Sequence, residues 1–350
     1  MNKLLTIVIP TYNMQDYLRR CLESLILPAN QIEQLDVLVV NDGSKDNSSA
    51  IAHEYEAKYP NSFHVIDKEN GNYGSCVNRG LQEATGKYFR ILDADDYYDT
   101  DALAQFVDIL GSNDSDVVFT RCVQRDMQGK ILKDEPFPQI IKLHTELLAP
   151  EFDAVKIGYW PFAMHTMTYK TSVLRDSNLQ LSTGISYTDN EYIFYPLEKV
   201  KTLWFEDIAL YQYTVGREGQ TMTPELMRKR IGHFEKILDR MLEYYDKNNT
   251  VSYGAIIANQ QGVIFSIMRW MYALLLNAPM ADKISAAMLH KLDSQVNARP
   301  EFIDRVSAIE RYGFRYVEYW HRTQRTCTHP LTQLYLQWHR GIRKIKSLLK

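Results

Sequence analysis

The sequence predicts an α/β fold with a mostly parallel sheet covered by helices on both faces, followed by a helical carboxyl-terminal region. In the first half, continuous apolar runs alternate with amphipathic helical segments, which is typical of parallel strands buried on both faces. From about residue 223 onwards, apolar residues repeat at helical spacing. We therefore predict two domains, at residues 1–222 and 223–350.

Apolar runs in the first domain are the predicted strands of the sheet. They are Leu4–Ile9, Val37–Val40, Phe63–Ile66, Tyr88–Leu92 and Val117–Thr120. Between them, residues such as Leu18, Leu22 and Leu25 recur on one face of a helix. Ser44 or Asp46 is expected to cap the helix after the second strand.

The carboxyl-terminal region opens with Thr223-Pro224-Glu225, where threonine is the predicted cap and proline takes the first helical position. Further helices are predicted at Ile256–Leu276, Ala281–Leu292 and Pro330–Leu349. A basic amphipathic helix such as the last one either lies on an anionic membrane surface or packs on its own domain. Its apolar positions are Leu331, Leu334, Tyr335, Trp338, Ile342, Ile345 and Leu349, and its basic positions are Arg340, Arg343, Lys344, Lys346 and Lys350.

The composition is that of a soluble globular protein, with 45% hydrophobic and 24% charged residues and a net charge of −3. This charge does not suggest a nucleic-acid partner. The four cysteines form no Cys-x-x-Cys pair, which favours a reduced, cytoplasmic compartment. The amino-terminal apolar stretch is too short for a signal peptide, and no apolar run approaches the roughly 20 residues of a membrane span.

Polar residues follow three of the predicted strands, at Pro10–Asn13, Asn41–Gly43 and Asp93–Asp96. Because parallel sheets bind ligands beyond the carboxyl ends of their strands, we expect the three clusters to form one site. Carboxylates as close as those of Asp93–Asp96 repel one another unless a cation lies among them. Mg²⁺ or Mn²⁺ beside a phosphate suits such oxygen ligands.

Three motifs, Thr6–Asn13, Val39–Asp46 and Leu92–Asp96, resemble in order and spacing those of the family 2 inverting glycosyltransferases, which have the Rossmann-like GT-A fold. The resemblance covers about residues 3 to 222. It implies an enzyme that transfers a sugar from a nucleotide-activated donor.

The resemblance also implies roles for single residues. Tyr12 would stack on the base near Pro10, and Asp42 would accept a hydrogen bond from the base. Asp95 would be the principal metal ligand, and Asp93 would reach the ribose or the metal, while Asp96 could cap the next helix. The expected nucleotide-sugar contacts are Pro10, Tyr12, Asn13, Asp42, Lys68, Asn70, Asn78, Asp93 and Ala94.

The expected chemistry needs a base as well as a metal. Displacement at the anomeric carbon expels a nucleoside diphosphate, whose charge a divalent ion offsets. A base on the opposite face must take the proton of the acceptor hydroxyl. By resemblance this base is Asp189, although Thr188 replaces the first residue of the family's Glu-Asp pair, and Glu191 is the second candidate. Asp189 could also cap its helix.

Further candidates lie closer to the end of the first domain. Arg217 stands where the family closes a loop over the donor, so we expect it to contact the diphosphate. The alternative is a surface arginine in a glycine-bounded turn. Trp160, Phe162 and His165 either line the acceptor pocket or belong to the core.

We therefore expect an inverting, metal-dependent transferase that moves a hexosyl or N-acetylhexosaminyl group from a UDP-sugar to a glycan or lipid-linked acceptor of the cell surface. It would act in the cytoplasm or at the cytoplasmic face of the membrane. The sequence lacks the motif of the family's processive polymerases, so we expect a non-processive transferase or a soluble partner of a membrane assembly. The alternative function is a non-catalytic sugar-nucleotide-binding subunit. A nucleotidyltransferase is disfavoured because Pro10–Asn13 is not a glycine- and arginine-rich phosphate loop.

Overall fold

The chain divides into two compact units, as seen in a computed structural model. The first unit comprises Met1–Gln220 with Asn248–Gln260, and the second comprises Thr221–Lys247 with Gln261–Lys350. The structure describes residues 3–248, 254–277 and 283–348, with side chains described for 3–248, 254–277 and 285–341.

The described part of the first unit forms strands β1 to β12. They are β1 Leu5–Thr11, β2 Leu35–Asn41, β3 Phe63–Asp67, β4 Tyr88–Ile91, β5 Tyr97–Tyr98, β6 Val117–Phe119, β7 Cys122–Arg125, β8 Ile131–Lys133, β9 Leu147–Leu148, β10 Met167–Lys170, β11 Thr202–Phe205 and β12 Tyr211–Thr214. One sheet has the order β3-β2-β1-β4-β10-β6-β11-β9, and the other has the order β5-β12-β7-β8.

The predicted parallel sheet is confirmed by strands β1 to β4. β1 pairs in parallel with β2 and β4, and β2 pairs in parallel with β3. β10 runs antiparallel to its neighbours β4 and β6, so β4, β6 and β11 all point in the same direction. The short strands β5 and β7 to β12 were not predicted, because each has only two to four residues, too few to show a strand pattern.

Helices of the first unit connect these strands. They are α1 Leu18–Glu23, α2 Ala29–Ile32, α3 Ser48–Lys58, α4 Asn72–Glu83, α5 Thr100–Ser112, α6 Ala154–Ile157, α7 Thr171–Asp176 and α8 Asp189–Phe194, with 3₁₀ turns at Ala149–Glu151 and Pro196–Lys199. The predicted cap of α3 is wrong in position: the N-cap residue is Asn47, and Asp46 instead accepts a hydrogen bond from the Ser48 backbone N–H at 3.0 Å.

The carboxyl-terminal region is helical, as predicted. Its described helices are α9 Pro224–Lys229, α10 Ile231–Asn248, α11 Ala255–Leu276, α12 Lys283–Asn297, α13 Pro300–Ser307, α14 Tyr316–Thr323 and α15 Pro330–Leu348. Thr223 caps α9 as expected, since its hydroxyl accepts from the Leu226 N–H. Ala281, Leu349 and Lys350 lie outside the described residues, and so do the side chains of Ile342, Arg343, Lys344, Ile345 and Lys346.

An apolar stripe on α15, formed by Leu331, Leu334, Tyr335 and Trp338, is exposed to between 44% and 61%. The same helix also carries Thr332 and Leu336, which are buried. Within the described ranges, no helix combines the length and the apolar character needed to cross a membrane.

Candidate active site

The carboxyl ends of β1, β2 and β3 meet at one edge of the larger sheet. Thr11 is paired with Asn41, and Asn41 is paired with Asp67. On the other side of β1, the Leu92 N–H donates to the Val8 carbonyl at 2.9 Å, which brings the segment after β4 to the same edge. The three polar clusters predicted from the sequence therefore do come together.

The loops after β1 and β2 are tied to each other by side chains. Asn13, with a positive φ of 52°, accepts from the Lys45 N–H at 2.8 Å, and its own N–H donates to the Ser44 hydroxyl at 3.0 Å. Tyr12 stands at this junction with 45% of its surface exposed. Its ring is thus presented by a fixed loop and remains accessible for stacking.

Asp42 organises the start of α4. Its buried carboxylate accepts from the backbone N–H groups of Gly71 and Asn72, both at 2.9 Å, and pairs with the Lys68 ammonium. The Asn70 amide donates to the Asp42 carbonyl at 2.9 Å. A carboxylate has about four lone-pair positions, so these three contacts leave one to accept a further hydrogen bond.

Asp93, Asp95 and Asp96, here named the aspartate cluster, follow β4 and differ in their surroundings. Asp93 accepts from the Tyr73 hydroxyl at 2.9 Å. Burial, followed by repulsion from Asp95, raises the pKa of Asp93 to about 7. The side chain of Ala94 packs in the hydrophobic core, so only its backbone could meet a ligand.

Asp95 forms an ion pair with Arg217, and both side chains are only 12% exposed. The alternative of a surface arginine at position 217 is therefore wrong. The Asp95 carbonyl also accepts from Arg20 at 2.9 Å, and Arg20 donates to the Thr214 hydroxyl. The second aspartate of the motif is thus neutralised by the residue expected to contact the diphosphate.

Asp96 is buried, and each of its two carboxylate oxygens accepts a hydrogen bond. It accepts from the Tyr211 hydroxyl at 2.8 Å and from the Thr214 N–H at 2.7 Å. Burial and then the charge of Asp95 raise the pKa of Asp96 well above its usual range. The expectation that Asp96 caps the next helix is wrong, because Asp99 is the N-cap of α5 and accepts from the Ala102 N–H.

His165 lies beside the aspartate cluster. Its Nε2 is 4.0 Å from Asp93 Oδ2, and its ring meets the ring of Tyr211 at 4.8 Å. Burial, with the charge of Arg90 second, lowers the pKa of His165 to about 4, so the imidazole is neutral. Ligand atoms of Asp93, Asp96 and His165 all lie within 4.8 Å of one another, a donor set that fits a divalent ion.

Of the predicted acceptor residues, Phe162 belongs to the core. It is 3% exposed and packs edge-on against the ring of Phe119. Trp160 is 39% exposed, and its indole N–H donates to the Phe162 carbonyl at 3.1 Å. Only Trp160 and His165 of this group therefore keep accessible surface.

Asp189 is the first residue of α8 and is half-buried. Thr188 is the N-cap residue, and Asp189 does not take that position. Burial raises the pKa of Asp189 to about 6. Burial and then the charges of Asp93 and Asp189 raise the pKa of Tyr73, so both carboxylates act electrostatically on the same phenol.

The segment that precedes α8 is held against α4. The Asn78 amide exchanges hydrogen bonds with the Leu181 backbone at 2.9 and 2.8 Å, and the buried Glu191 carboxylate accepts from the Ser182 N–H and hydroxyl. A Cβ on Gly74 would stand 2.1 Å from the Ser182 carbonyl oxygen, so this close approach requires glycine. Asn78 and Glu191 thus brace the chain that carries Asp189.

The sequence did not single out Tyr73, Tyr211 or Arg20, although each contacts the aspartate cluster. Tyr73 stands in the glycine-containing loop of residues 70–75, which was the available signal. Tyr211 and Arg20 lie in a strand and a helix that give no such signal, and they reach the cluster only through the fold.

Comparison with known proteins identifies the family of this chain. A family model described as glycosyl transferase family 2 matches residues 6–170. An uncharacterized glycosyltransferase of Mycoplasma genitalium is 31% identical over 211 residues, covering 58% of this chain and 67% of that protein. The poly(ribitol-phosphate) beta-glucosyltransferase of Bacillus spizizenii is 26% identical over 227 residues, or 63% of this chain and 33% of that protein.

Among solved structures, residues 1–349 of S. aureus TarS in complex with UDP-GlcNAc match with a TM-score of 0.56 and 19% identity over 92% of both chains. This likeness shows the GT-A fold, and the predicted fold class is confirmed. The chain belongs to glycosyl transferase family 2 and is a glycosyltransferase.

Proposed function

We propose that this chain transfers a hexosyl or N-acetylhexosaminyl group with inversion from a UDP-sugar to a cell-surface glycan or its lipid-linked precursor. The observation that carries the proposal is the aspartate cluster at the sheet edge, where Asp93 accepts from the Tyr73 hydroxyl at 2.9 Å. Burial and then the charges of Asp93 and Asp189 raise the pKa of this same phenol. Asp93 would then serve the leaving group, and Asp189 would supply the base for the acceptor hydroxyl. Residues 1–222 would carry the reaction, and residues 223–350 would support it.

The donor site is assigned to the loops at the sheet edge. Tyr12 would stack on the base, Asp42 would accept its N–H through the remaining lone pair, and Pro10 and Asn13 would shape the same loop. TarS, which shares the fold, has been crystallised with UDP-GlcNAc, and this supports a uridine nucleotide here. Lys68 and Asn70 would act by holding Asp42, whereas Asn78, committed to Leu181, is no longer assigned to the donor.

A divalent ion, Mn²⁺ or Mg²⁺, is assigned to the aspartate cluster because ligand atoms of Asp93, Asp96 and His165 lie within 4.8 Å of one another. Burial and the charge of Asp95 raise the pKa values of Asp93 and Asp96, and a nearby cation would lower them again. When bound, the ion would supply a Lewis acid for the departing diphosphate. Asp93 would hold it, with Asp95 exchanging Arg217 for the ion or orienting Arg217 towards the diphosphate. Arg217 would then neutralise the leaving group with its planar fork of donors.

Asp189 would take the proton of the acceptor hydroxyl as its oxygen forms the bond to the anomeric carbon and the bond to the diphosphate oxygen breaks. A pKa of about 6 keeps this carboxylate ionised near neutrality while leaving it basic enough to accept a proton. Glu191 is the weaker candidate, because it is fully buried and already accepts two hydrogen bonds from Ser182.

The acceptor class is proposed from a relative. The Bacillus spizizenii protein is named as a glucosyltransferase of poly(ribitol-phosphate), and this chain spans about a third of its length. For the present chain we propose only the general acceptor class, which is a cell-surface polymer or its lipid-linked precursor, assembled on the cytoplasmic side.

The apolar stripe on α15 is assigned to the surface of an anionic membrane. Residues 319–350 contain basic residues and no acid: Arg322, Arg325, Arg340, Arg343, Lys344, Lys346 and Lys350. Each basic residue near an anionic surface contributes about 1 kcal/mol, and an exposed Trp338 suits the interface. Pairing with the same helix of a second copy would instead bring like charges together.

Vesicle flotation tests this contact. The protein should bind phosphatidylglycerol vesicles more strongly than phosphatidylcholine vesicles, and Trp338→Glu should reduce the bound fraction. Ile140→Glu is the matched control, since Ile140 is 65% exposed but lies in the first unit. Equal binding of Trp338→Glu and the parent, or equal binding to both vesicles, contradicts the assignment.

The function itself is tested by incubation with UDP-sugars, Mn²⁺ and a polyol-phosphate or saccharide acceptor. UDP should raise the melting temperature, since a ligand selective for the folded state stabilises it. NMR of the product should show the anomeric configuration opposite to that of the donor. UDP binding without transfer to any acceptor would favour the non-catalytic subunit.

A further inference from the structure

The side chains of His165 and Asp93 lie near each other without forming a hydrogen bond. The distance from His165 Nε2 to Asp93 Oδ2 is 4.0 Å. This is too long for a hydrogen bond, whose N···O distance is about 2.9 Å. It is just below the sum of two metal–ligand bonds of about 2.1 Å each, so one ion could touch both atoms.

Both groups retain coordinating capacity. Asp93 Oδ1 accepts from Tyr73, but within the described chain no hydrogen bond reaches Oδ2, and none reaches the His165 ring nitrogens. The two side chains are 25% and 26% exposed, so solutes can reach them. A histidine buried for packing alone would normally give one ring nitrogen a partner.

The imidazole is also held in a fixed orientation. Its ring lies 4.8 Å from the ring of Tyr211 and 5.0 Å from that of Tyr213. Its backbone carbonyl accepts from Arg90, a fully buried residue of β4 that also donates to the hydroxyls of Thr120 and Thr168 at 2.9 and 2.8 Å. A ligand fixed in this way loses little freedom when an ion binds.

The other two carboxylates are less available than Asp93. Asp95 is paired with Arg217, and both oxygens of Asp96 accept hydrogen bonds, from Tyr211 and Thr214. We propose that His165 is a nitrogen ligand of the divalent ion that Asp93 holds, and that it makes the site select Mn²⁺ over Mg²⁺. Imidazole suits transition metals, whereas Mg²⁺ prefers oxygen ligands alone. The inference rests on the metal dependence in the proposed function.

Pulsed electron paramagnetic resonance of the Mn²⁺ complex with UDP tests this ligand directly. The parent should show modulation from a directly coordinated ¹⁴N nucleus, and His165→Ala should lack it. Calorimetric titration should show Mn²⁺ binding about tenfold or more weaker in His165→Ala, with a smaller change for Mg²⁺. His165→Gln, which can fill the same space, should lose the ¹⁴N signal while its melting temperature stays near that of the parent.

The matched control is His144→Ala, because His144 is 65% exposed and pairs with Glu206 away from the aspartate cluster. This variant should keep the ¹⁴N signal and the Mn²⁺ affinity of the parent. Unchanged Mn²⁺ binding in His165→Ala overturns the role of His165 but leaves the metal dependence intact. Absence of Mn²⁺ binding by the parent with UDP overturns both.

Discussion

The loops after β1, β2 and β3, which we propose bind the donor and here call the donor loops, differ from the aspartate cluster after β4 in the pKa values of their carboxylates. In the donor loops, burial is outweighed by hydrogen bonds, which lower the pKa of Asp46 and of Asp67. In the aspartate cluster, burial and mutual repulsion raise the pKa of Asp93 and Asp96. The carboxylates of the first region are stabilised by their own chain, whereas the raised pKa values of the second region are typical of functional sites and fit the cation proposed there.

The two regions also differ in how they are assembled. Donor-loop contacts such as Asn13 with Lys45 join residues from neighbouring strand ends. The aspartate cluster is instead contacted by residues that are distant in the sequence, such as His165, Tyr211 and Arg217. The donor loops are therefore the more predictable region, and the cluster is where substitutions should have the largest consequences for catalysis.

The largest effect is expected from Asp189→Asn. The amide cannot accept the proton of the acceptor hydroxyl, so transfer should fall by about 10²- to 10⁴-fold while the Kd for UDP stays unchanged. Transfer is measured with radiolabelled donor, and UDP binding by calorimetry. Asp176→Asn, at an exposed position of α7, is the control that should keep full activity. Full turnover by Asp189→Asn would reassign the base.

The second largest loss of transfer rate is expected from Arg217→Gln. It removes the partner of Asp95 and the donor fork for the diphosphate, so kcat should fall by about 10²- to 10³-fold. Arg217→Lys should recover only part of the rate, because an ammonium cannot form the bidentate contact. Arg228→Gln is the exposed control. A kcat for Arg217→Gln equal to that of the control would mean that the ion pair is only structural.

The pH profile of kcat/KM should show an acidic limb set by Asp189. Its pKa is raised to about 6, and only the ionised form can act as base. Activity should therefore drop about tenfold per pH unit below pH 6 and level off above it. The profile is measured at saturating Mn²⁺. If the residual activity of Asp189→Asn shows the same limb, another group is titrating.

Gly74→Ala tests the close packing of α4 against the segment that precedes Asp189. The new methyl would collide with the Ser182 carbonyl, so we expect a loss of about 1–3 kcal/mol in the free energy of unfolding and displacement of the segment before Asp189. Gly111→Ala is the matched control in α5, where a methyl meets nothing within 4 Å and should be neutral or stabilising. Denaturant titration measures both. Equal stability of the two variants would contradict this close packing.

Much of the donor half could be predicted from the sequence. Apolar runs such as Val37–Val40 identify parallel strands, and the polar residues after them must lie at one edge because parallel strands end on the same side. Asp42 and Asp93 were located by this rule. The sequence did not predict the ion pair of Asp42 with Lys68 or its hydrogen bonds to the start of α4. These contacts depend on a loop conformation that has no periodic signal.

Sequence alone determined the fold class, the family and the edge on which the carboxylates stand, because periodicity and motif order are local properties of the chain. Only the tertiary structure decided that Asp95 is neutralised by an arginine, that Asp96 accepts hydrogen bonds on both oxygens, and that Asp93 keeps one oxygen without a hydrogen bond within the described chain. Asp95 and its partner Arg217 are 122 positions apart, and Asp96 is separated from Tyr211 by 115. Contacts over such distances are set by how β4, β12 and the loops pack together, and a linear pattern of residue types does not encode them.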